Sequence, residues 1–159
     1  IFMEENSYCE MESVQIKGVD STKRDTVAKL QKGASLVILE KLMTHGNQTA
    51  RSDMEIILEG EGANGRVLSR SVATDDSVQV FYPKMTGRAE CFGHVECDSI
   101  IMDKAVVTSI PEIVANSADA QMIHEAAIGK IAGDQLLKLE TLGLSAEEAE
   151  ERILKGFLA

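Results

Sequence analysis

The sequence is poor in aromatic side chains. Phe, Tyr and Trp together make up 4% of the 159 residues and Trp is absent, whereas hydrophobic residues as a group make up 44%. A core built from this set consists mainly of Val, Ile, Leu and Ala, which suits stacked narrow layers better than a bulky sandwich core. The length is that of one ordinary domain with a core of its own.

Basic residues are also scarce. There are 16 Lys and Arg against 26 Asp and Glu, and the net charge is −10. This charge argues against nucleic acid and against anionic membrane surfaces as partners, because both would repel the chain. No apolar run reaches the ~18 residues of a membrane-spanning helix, and no basic segment followed by an apolar block marks a secretory signal. We therefore expect no nucleic-acid partner and no membrane.

The three cysteines, Cys9, Cys91 and Cys97, are an odd number. They cannot all pair within one chain, so a reducing cytoplasm is the expected location. The sequence begins Ile-Phe rather than Met, which we interpret as an N-terminal truncation.

Common catalytic and nucleotide-binding motifs are missing. The sequence contains neither Gly-x-x-x-x-Gly-Lys-Ser/Thr nor Gly-x-Ser-x-Gly, so it has no phosphate-binding loop or nucleophile elbow of those types. Gly60, Gly62 and Gly65 lie between predicted strands rather than at the start of a helix, which does not fit a dinucleotide site. We expect that the chain is not itself an enzyme.

Short strand-like segments separated by turns fill the first three quarters of the sequence. Residues 35–43 and 66–73 each follow a turn that contains Gly and ends in Ala, and a related turn precedes residues 106–110. This repetition predicts stacked β coils, in which each coil covers the previous one. Residues 1–13 are rich in Glu and are predicted to be a solvated lead-in. Pro83 and Pro111 are predicted to lie at strand ends, where a missing N–H is tolerated.

The hydrophobic period changes after Glu125. Asp134 is predicted to cap a helix that ends near Leu142, with Gly143 as its C-terminal stop. We therefore divide the chain into a β core over residues 1–125 and a helical region over residues 126–159.

A second helix is predicted from a capping box. Ser145 is followed three residues later by Glu148, and the helix is expected to continue to about Leu158. An apolar stripe runs along it through Ala149, Ile153 and Phe157. Two helices joined by so short a turn are expected to pack as a hairpin against the last β coil.

Cys91, His94 and Cys97 suggest a metal site by their spacing, but strand geometry argues against it. On one strand the two cysteines share a face and His94 points to the other. At ~3.3 Å per residue, the two sulfurs lie about 20 Å apart. A closed zinc site needs four converging ligands, so further ligands would have to come from another coil or subunit.

Several separated motifs occur together in the sequence. In order they are Ser69-Arg70-Ser71-Val72-Ala73, Gly87-Arg88, Gly93-His94-Val95-Glu96-Cys97-Asp98, His124-Glu125-Ala126-Ala127-Ile128-Gly129, Gly133-Asp134-Gln135-Leu136, Gly143-Leu144-Ser145, Glu147-Glu148-Ala149 and Gly156-Phe157. The set resembles the C-terminal part of the SUF-system iron–sulfur cluster assembly scaffolds, the SufB/SufD family. The match is good from about residue 69 to residue 158 and looser before that.

The resemblance implies a mainly β fold, a right-handed parallel β-helix of stacked short strands with a C-terminal two-helix hairpin. It implies a scaffold subunit that carries a transient iron–sulfur cluster and works with an ABC-type ATPase. Cys97, His124 and Glu125 match the family's cluster region, in which a Cys of one protomer approaches a His of the other. A homodimer, or a heterodimer with a paralogous SUF subunit, is therefore expected. The ATPase is expected to dock on the helical region, with Leu154 and Phe157 in the contact.

The sequence departs from the pattern at Ile123, where some SufB members carry a further acid, so SufB-like and SufD-like roles both stay open. Three other functions are compatible with parts of the sequence. One is a structural interaction subunit that binds no cluster, and another is a small metal-binding module on Cys91, His94 and Cys97. The third is a β-helical enzyme acting on polysaccharide, which would need a converging set of carboxylates and basic residues along one exposed coil face, and no such set is evident in the sequence.

Overall fold

The computed structural model describes residues 1–16 and 18–159. Within them the chain forms strands and then two helices. The strands are β1 (Phe2–Met3), β2 (Tyr8–Gln15), β3 (Ser21–Leu30), β4 (Ser35–Thr44), β5 (Thr49–Leu58), β6 (Ala63–Ala73), β7 (Val78–Gly87), β8 (Cys91–Ile101), β9 (Val106–Ser109), β10 (Glu112–Ala115) and β11 (Ala120–Gly129). The helices are α1 (Gly133–Thr141) and α2 (Ala146–Leu158).

The strands form two parallel sheets. One has the order β1-β3-β5-β7-β10, with β9 also paired to β7, and the other has the order β11-β8-β6-β4-β2. The chain passes from one sheet to the other and back, so each circuit adds one strand to each sheet. This arrangement is a stacked parallel β-helix, as predicted, and it excludes a flat antiparallel sandwich.

The core is made of aliphatic columns that run through the coils. Ile38 is the register partner of Val67, and Val67 is the partner of Val95. All three are fully buried. Because side chains alternate along a strand, every second residue of a coil joins such a column and the others face outward. A small interlayer space filled by Ile, Leu and Val explains why this fold needs few aromatic residues.

Left-handed residues stack at one corner of the coils. Asn6, Gly33 and Gly62 have φ values of 56°, 65° and 71°. The Gly33 N–H donates to the carbonyl of Glu61, and the Gly62 N–H donates to that of Glu90. Gly adopts this conformation without strain and Asn tolerates it better than most residues, which explains the Gly-containing turns predicted from the sequence.

The predicted solvated lead-in over residues 1–13 is wrong. β1 pairs with β3, and β2 pairs in parallel with β4 from Tyr8↔Ser35 onward. The acidic residues mislead because β2 is the edge strand of its sheet, and its outward positions Glu10 and Glu12 are exposed while the alternate positions are half-buried.

Pro83 also departs from prediction, because it is buried inside β7 rather than at a strand end. Proline has no N–H to donate to a neighbouring strand, and the pairing around Pro83 shows why this is tolerated here. On one side β7 pairs with β9 as far as Phe81↔Ser109 and with β10 from Lys84↔Glu112. Pro83 therefore lies opposite the break between β9 and β10, where no ladder bond is required.

The last strand continues past Glu125 to Gly129, further than the change of period indicated. α1 begins after Ala132, which makes no side-chain capping bond, so the predicted Asp134 cap is wrong and Asp134 lies in the first turn. Gly143 follows the helix with φ 97°, as expected of a C-terminal stop. In residues 1–16 and 18–159, neither helix has the length and apolar character that a membrane span requires.

The predicted capping box at the start of α2 is confirmed. The Glu148 N–H donates to Ser145 Oγ, and the Ser145 N–H donates to the Glu148 carboxylate. Leu154 and Leu158 of α2 pack against Val72 of β6 in a second hydrophobic cluster. Met43 of β4 and Ile100 of β8, the register partners of Val72, join this cluster, so α2 lies on the outer face of the sheet across β4, β6 and β8. The predicted packing against the last β coil is wrong, because the apolar row that α2 covers runs across the middle strands of the sheet.

Candidate functional site

β8 and β11 bring the predicted site residues together. They are parallel neighbours in register from Cys91↔Ala120 to Ile100↔Gly129, and β11 is the edge strand of the sheet. His124 lies opposite Val95, and Ala126 lies opposite Cys97. Since register partners in a sheet share a face, His124 and Cys97 both belong to the inner face and are diagonal neighbours across the two strands.

The thiol of Cys97 contacts the imidazole of His124. The distance from Sγ to Nε2 is 3.7 Å, although the residues are 27 positions apart in sequence. The sequence interpretation placed this cysteine and this histidine on different protomers. The register of β11 on β8 already joins the two residues within one chain, and the approach of a partner protomer stays a prediction.

Burial controls the chemistry of Cys97. Its side chain is 2% exposed. Removal from water raises the pKa of the thiol to about 11, the Ser109 side chain acts against this shift, and the carboxylates of Asp98, Glu40 and Glu96 reinforce it. The thiol is therefore protonated at neutral pH, and it becomes a soft-metal ligand only when the metal or a base takes its proton.

A polar column continues inward from Cys97. Cys97 is the register partner of Ser69, which is the partner of Glu40. The Ser69 hydroxyl donates to the Glu40 carboxylate at 3.2 Å, and the Ser52 hydroxyl donates to it at 2.9 Å. Arg24 completes the group with Nη1 at 2.6 Å from the same carboxylate. The 2% exposed Glu40 is thus fully satisfied, as a buried carboxylate must be.

Glu125 does not join Cys97 and His124. It is the register partner of Glu96 and faces outward with it. Its carboxylate lies 3.1 Å from Nε2 of His94. The three predicted site residues therefore divide between the two faces of the same strand pair.

The outer face holds a group that sequence reasoning missed. The ligand atoms of His94, Glu96 and Glu125 all lie within 4.8 Å of one another, and no other trio of His, Cys, Asp or Glu does so in the described ranges 1–16 and 18–159. Alternation along β8 already placed His94 and Glu96 on one face. The sequence did not show the register of β11 on β8, which places Glu125 beside these two residues.

Cys91 takes no part in either group. It is buried, and burial raises the pKa of its thiol. It shares the inner face of β8 with Cys97, whereas His94 points outward, as alternation predicted. The three cysteines of the chain are free thiols.

The predicted docking residues on α2 differ in accessibility. Leu154 is 9% exposed and belongs to the cluster around Val72. Phe157 is half-buried at the edge of the same cluster. On α1, by contrast, Leu137 is 61% exposed and Leu142 is 72% exposed. Their role in binding a partner stays a prediction.

The fold and the site together define a β-helical protein with a thiol–imidazole pair in its last sheet strands. Residues 1–157 match the model of the SUF-system FeS cluster assembly family, SufBD core domain. The chain belongs to this family, so the predicted resemblance is confirmed.

Curated relatives agree with this assignment. An iron–sulfur cluster assembly SufBD family protein of Methanothermobacter thermautotrophicus is 34% identical over 129 residues, which cover 79% of this chain and 31% of the relative. One of Pyrococcus horikoshii is 40% identical over 106 residues, covering 65% and 24%. One of Synechocystis is 27% identical over 119 residues, covering 72% and 25%. The chain thus spans about a third or less of the length of these relatives.

Proposed function

We propose that this chain is part of a scaffold subunit on which iron–sulfur clusters are assembled, with Cys97 and His124 as cluster ligands. The observation that carries the proposal is the 3.7 Å contact between Cys97 Sγ and His124 Nε2 at the edge of a sheet, in a chain of the SufBD family. A thiolate and an imidazole are both ligands that iron accepts.

The cluster must lie at the edge rather than in the interior. The cavity beside Cys97 has a volume of about 10 Å³, which is room for about one water molecule. His124 is half-buried on the edge strand and therefore reaches both the thiol and the outside. A transient cluster would be held at this position and released from it.

A second subunit supplies the remaining ligands in this proposal. A cluster usually has about four protein ligands, and one chain offers two on this face. β11 is an unpaired edge, which is a ready template for another chain, and its Ile123 and Ile128 are 42% and 44% exposed. A homodimer or a heterodimer with a paralogous SUF subunit would present each residue a second time.

Anaerobic reconstitution with iron and sulfide tests the cluster. The expected result is visible absorption and bound iron and sulfide in the wild type, with strong loss in Cys97→Ser and in His124→Ala. Cys91→Ser is the matched control, since Cys91 is a buried thiol on the same face of the same strand. Full loading of Cys97→Ser would refute the assignment, and a wild type without any cluster would favour a structural subunit.

An ABC-type ATPase of the SUF system is the proposed partner at the two helices. The exposed Leu137 and Leu142 of α1 and the half-buried Phe157 of α2 support an apolar contact there. Leu137→Asp is the sharper variant, because a 61% exposed side chain can be changed without disturbing the core. Capture of the ATPase is expected to fall in Leu137→Asp and in Phe157→Asp. Unchanged capture by both folded variants would contradict the proposal.

A further inference from the structure

The geometry points to a second binding site on this chain, for a divalent metal ion, formed by His94, Glu96 and Glu125 on the outer face of β8 and β11. That the ion is ferrous iron rests on the proposed function, since iron is the cargo of cluster assembly. The site is distinct from the Cys97–His124 pair, which lies on the inner face of the same two strands.

The three side chains already converge. Their ligand atoms lie within 4.8 Å of one another, and His94 Nε2 is 3.1 Å from Glu125 Oε2. Ligands at ~2.1 Å from one ion are separated by about 3–4 Å, so a small rotation closes the site. The His94 side chain is 12% exposed and held in place, whereas that of Glu125 is 65% exposed and free to adjust.

The charges call for a cation. Glu96 and Glu125 are register partners, and like charges directly opposite each other on neighbouring strands destabilise a sheet. In the described part of the chain, Glu96 forms no ion pair with any Lys or Arg, and Arg66, the register partner of His94 on β6, forms none either. A divalent cation between the carboxylates removes this repulsion, while His94 alone balances at most one of the two charges.

The donor set fits iron in its ferrous form. One imidazole and two carboxylates suit Fe²⁺, Mn²⁺ or Co²⁺ and leave coordination positions open, so the ion is exchangeable. Glu96 and Cys97 are consecutive residues on β8 that face opposite sides. Iron bound by Glu96 is thus held beside the thiol position without contacting the thiol.

Anaerobic titration with Co²⁺, and with Fe²⁺ against a chromogenic chelator, tests the site in protein that carries no polyhistidine tag. The wild type is expected to bind one equivalent of Co²⁺ with visible d–d bands and no thiolate-to-cobalt charge-transfer band. Glu96→Gln and His94→Ala are expected to weaken binding about tenfold or more. Asp98→Asn is the matched control, because Asp98 lies on the same face of β8 and outside the trio.

Cys97→Ser separates this inference from the proposed function. It is expected to keep Co²⁺ and Fe²⁺ binding at full strength even though it fails to hold a cluster. A thiolate charge-transfer band, or loss of metal binding in Cys97→Ser, would overturn the outer-face site by moving the metal to the inner face. Full-strength binding by Glu96→Gln, or no binding by the wild type, would overturn it as well. Failed reconstitution of a cluster in protein that still binds Fe²⁺ would count against the proposed function alone.

Discussion

The buried thiol of Cys97 makes a prediction about stability at alkaline pH, tested by the substitution Cys97→Ala. Burial raises the pKa of this thiol from its ordinary value of 9.0 to about 11. Between these values the folded protein keeps the proton and the unfolded chain loses it. The unfolded state then binds fewer protons, so the free energy of unfolding falls as pH rises through this window and is unaffected well below pH 9.

The magnitude follows from the two pKa values. Moving a pKa from 9.0 to about 11 corresponds to about 2.7 kcal/mol. At pH 7, Cys97→Ala removes one buried sulfur and is expected to cost on the order of 1 kcal/mol in lost transfer energy and cavity formation. The wild type should therefore be the more stable protein at pH 7 and the less stable one near pH 11.

Urea denaturation of both proteins, at a series of pH values between 7 and 11 and with a reductant present, measures the difference. Groups that titrate alike in both proteins, such as the other buried thiol at Cys91, contribute equally to both free energies of unfolding and so cancel in their difference. Equal m values in the two proteins are the control, since they show that the same surface unfolds. Parallel pH profiles for wild type and Cys97→Ala would refute the claim that burial holds the proton on this thiol.

Three further predictions concern stability. Arg24→Ala is expected to cost about 2–3 kcal/mol, less than the loss of a fully buried partner, because Glu40 keeps its two serine donors; an unchanged urea midpoint would contradict this ion pair. Gly60→Ala is expected to lower Tm more than Gly46→Ala. A Cβ at position 60 would overlap the backbone of the preceding coil, whereas a Cβ at position 46 would point into open space, and only the φ of 58° is unfavourable there. The reverse order of Tm values in thermal melts would contradict this packing. Ser145→Ala is expected to cost about 1 kcal/mol through loss of the α2 cap, again by urea denaturation, and no change would show that the cap does not stabilise the helix.

Local structure could be read from the sequence because it depends on neighbouring residues. Gly33 and Gly62 occupy left-handed turn positions, which glycine adopts without strain, and the Ser145 capping box depends on two residues three positions apart. Alternation along β8 likewise fixed that Cys97 and His94 face opposite ways. Local signals failed where position in the sheet decides, as at the edge strand β2 and at Pro83 in β7.

The identity of neighbouring side chains was decided by the tertiary structure alone. Alternation assigns each residue to a face, but it does not say which residue of the next strand lies opposite. That register depends on the length of each complete coil and on the packing of the columns inside it. It brings His124 to Cys97 across 27 residues and Glu125 to His94 across 31. The sequence therefore determined the face on which each of these residues lies, and the register determined that Cys97 meets His124 on one face while Glu125 meets His94 and Glu96 on the other.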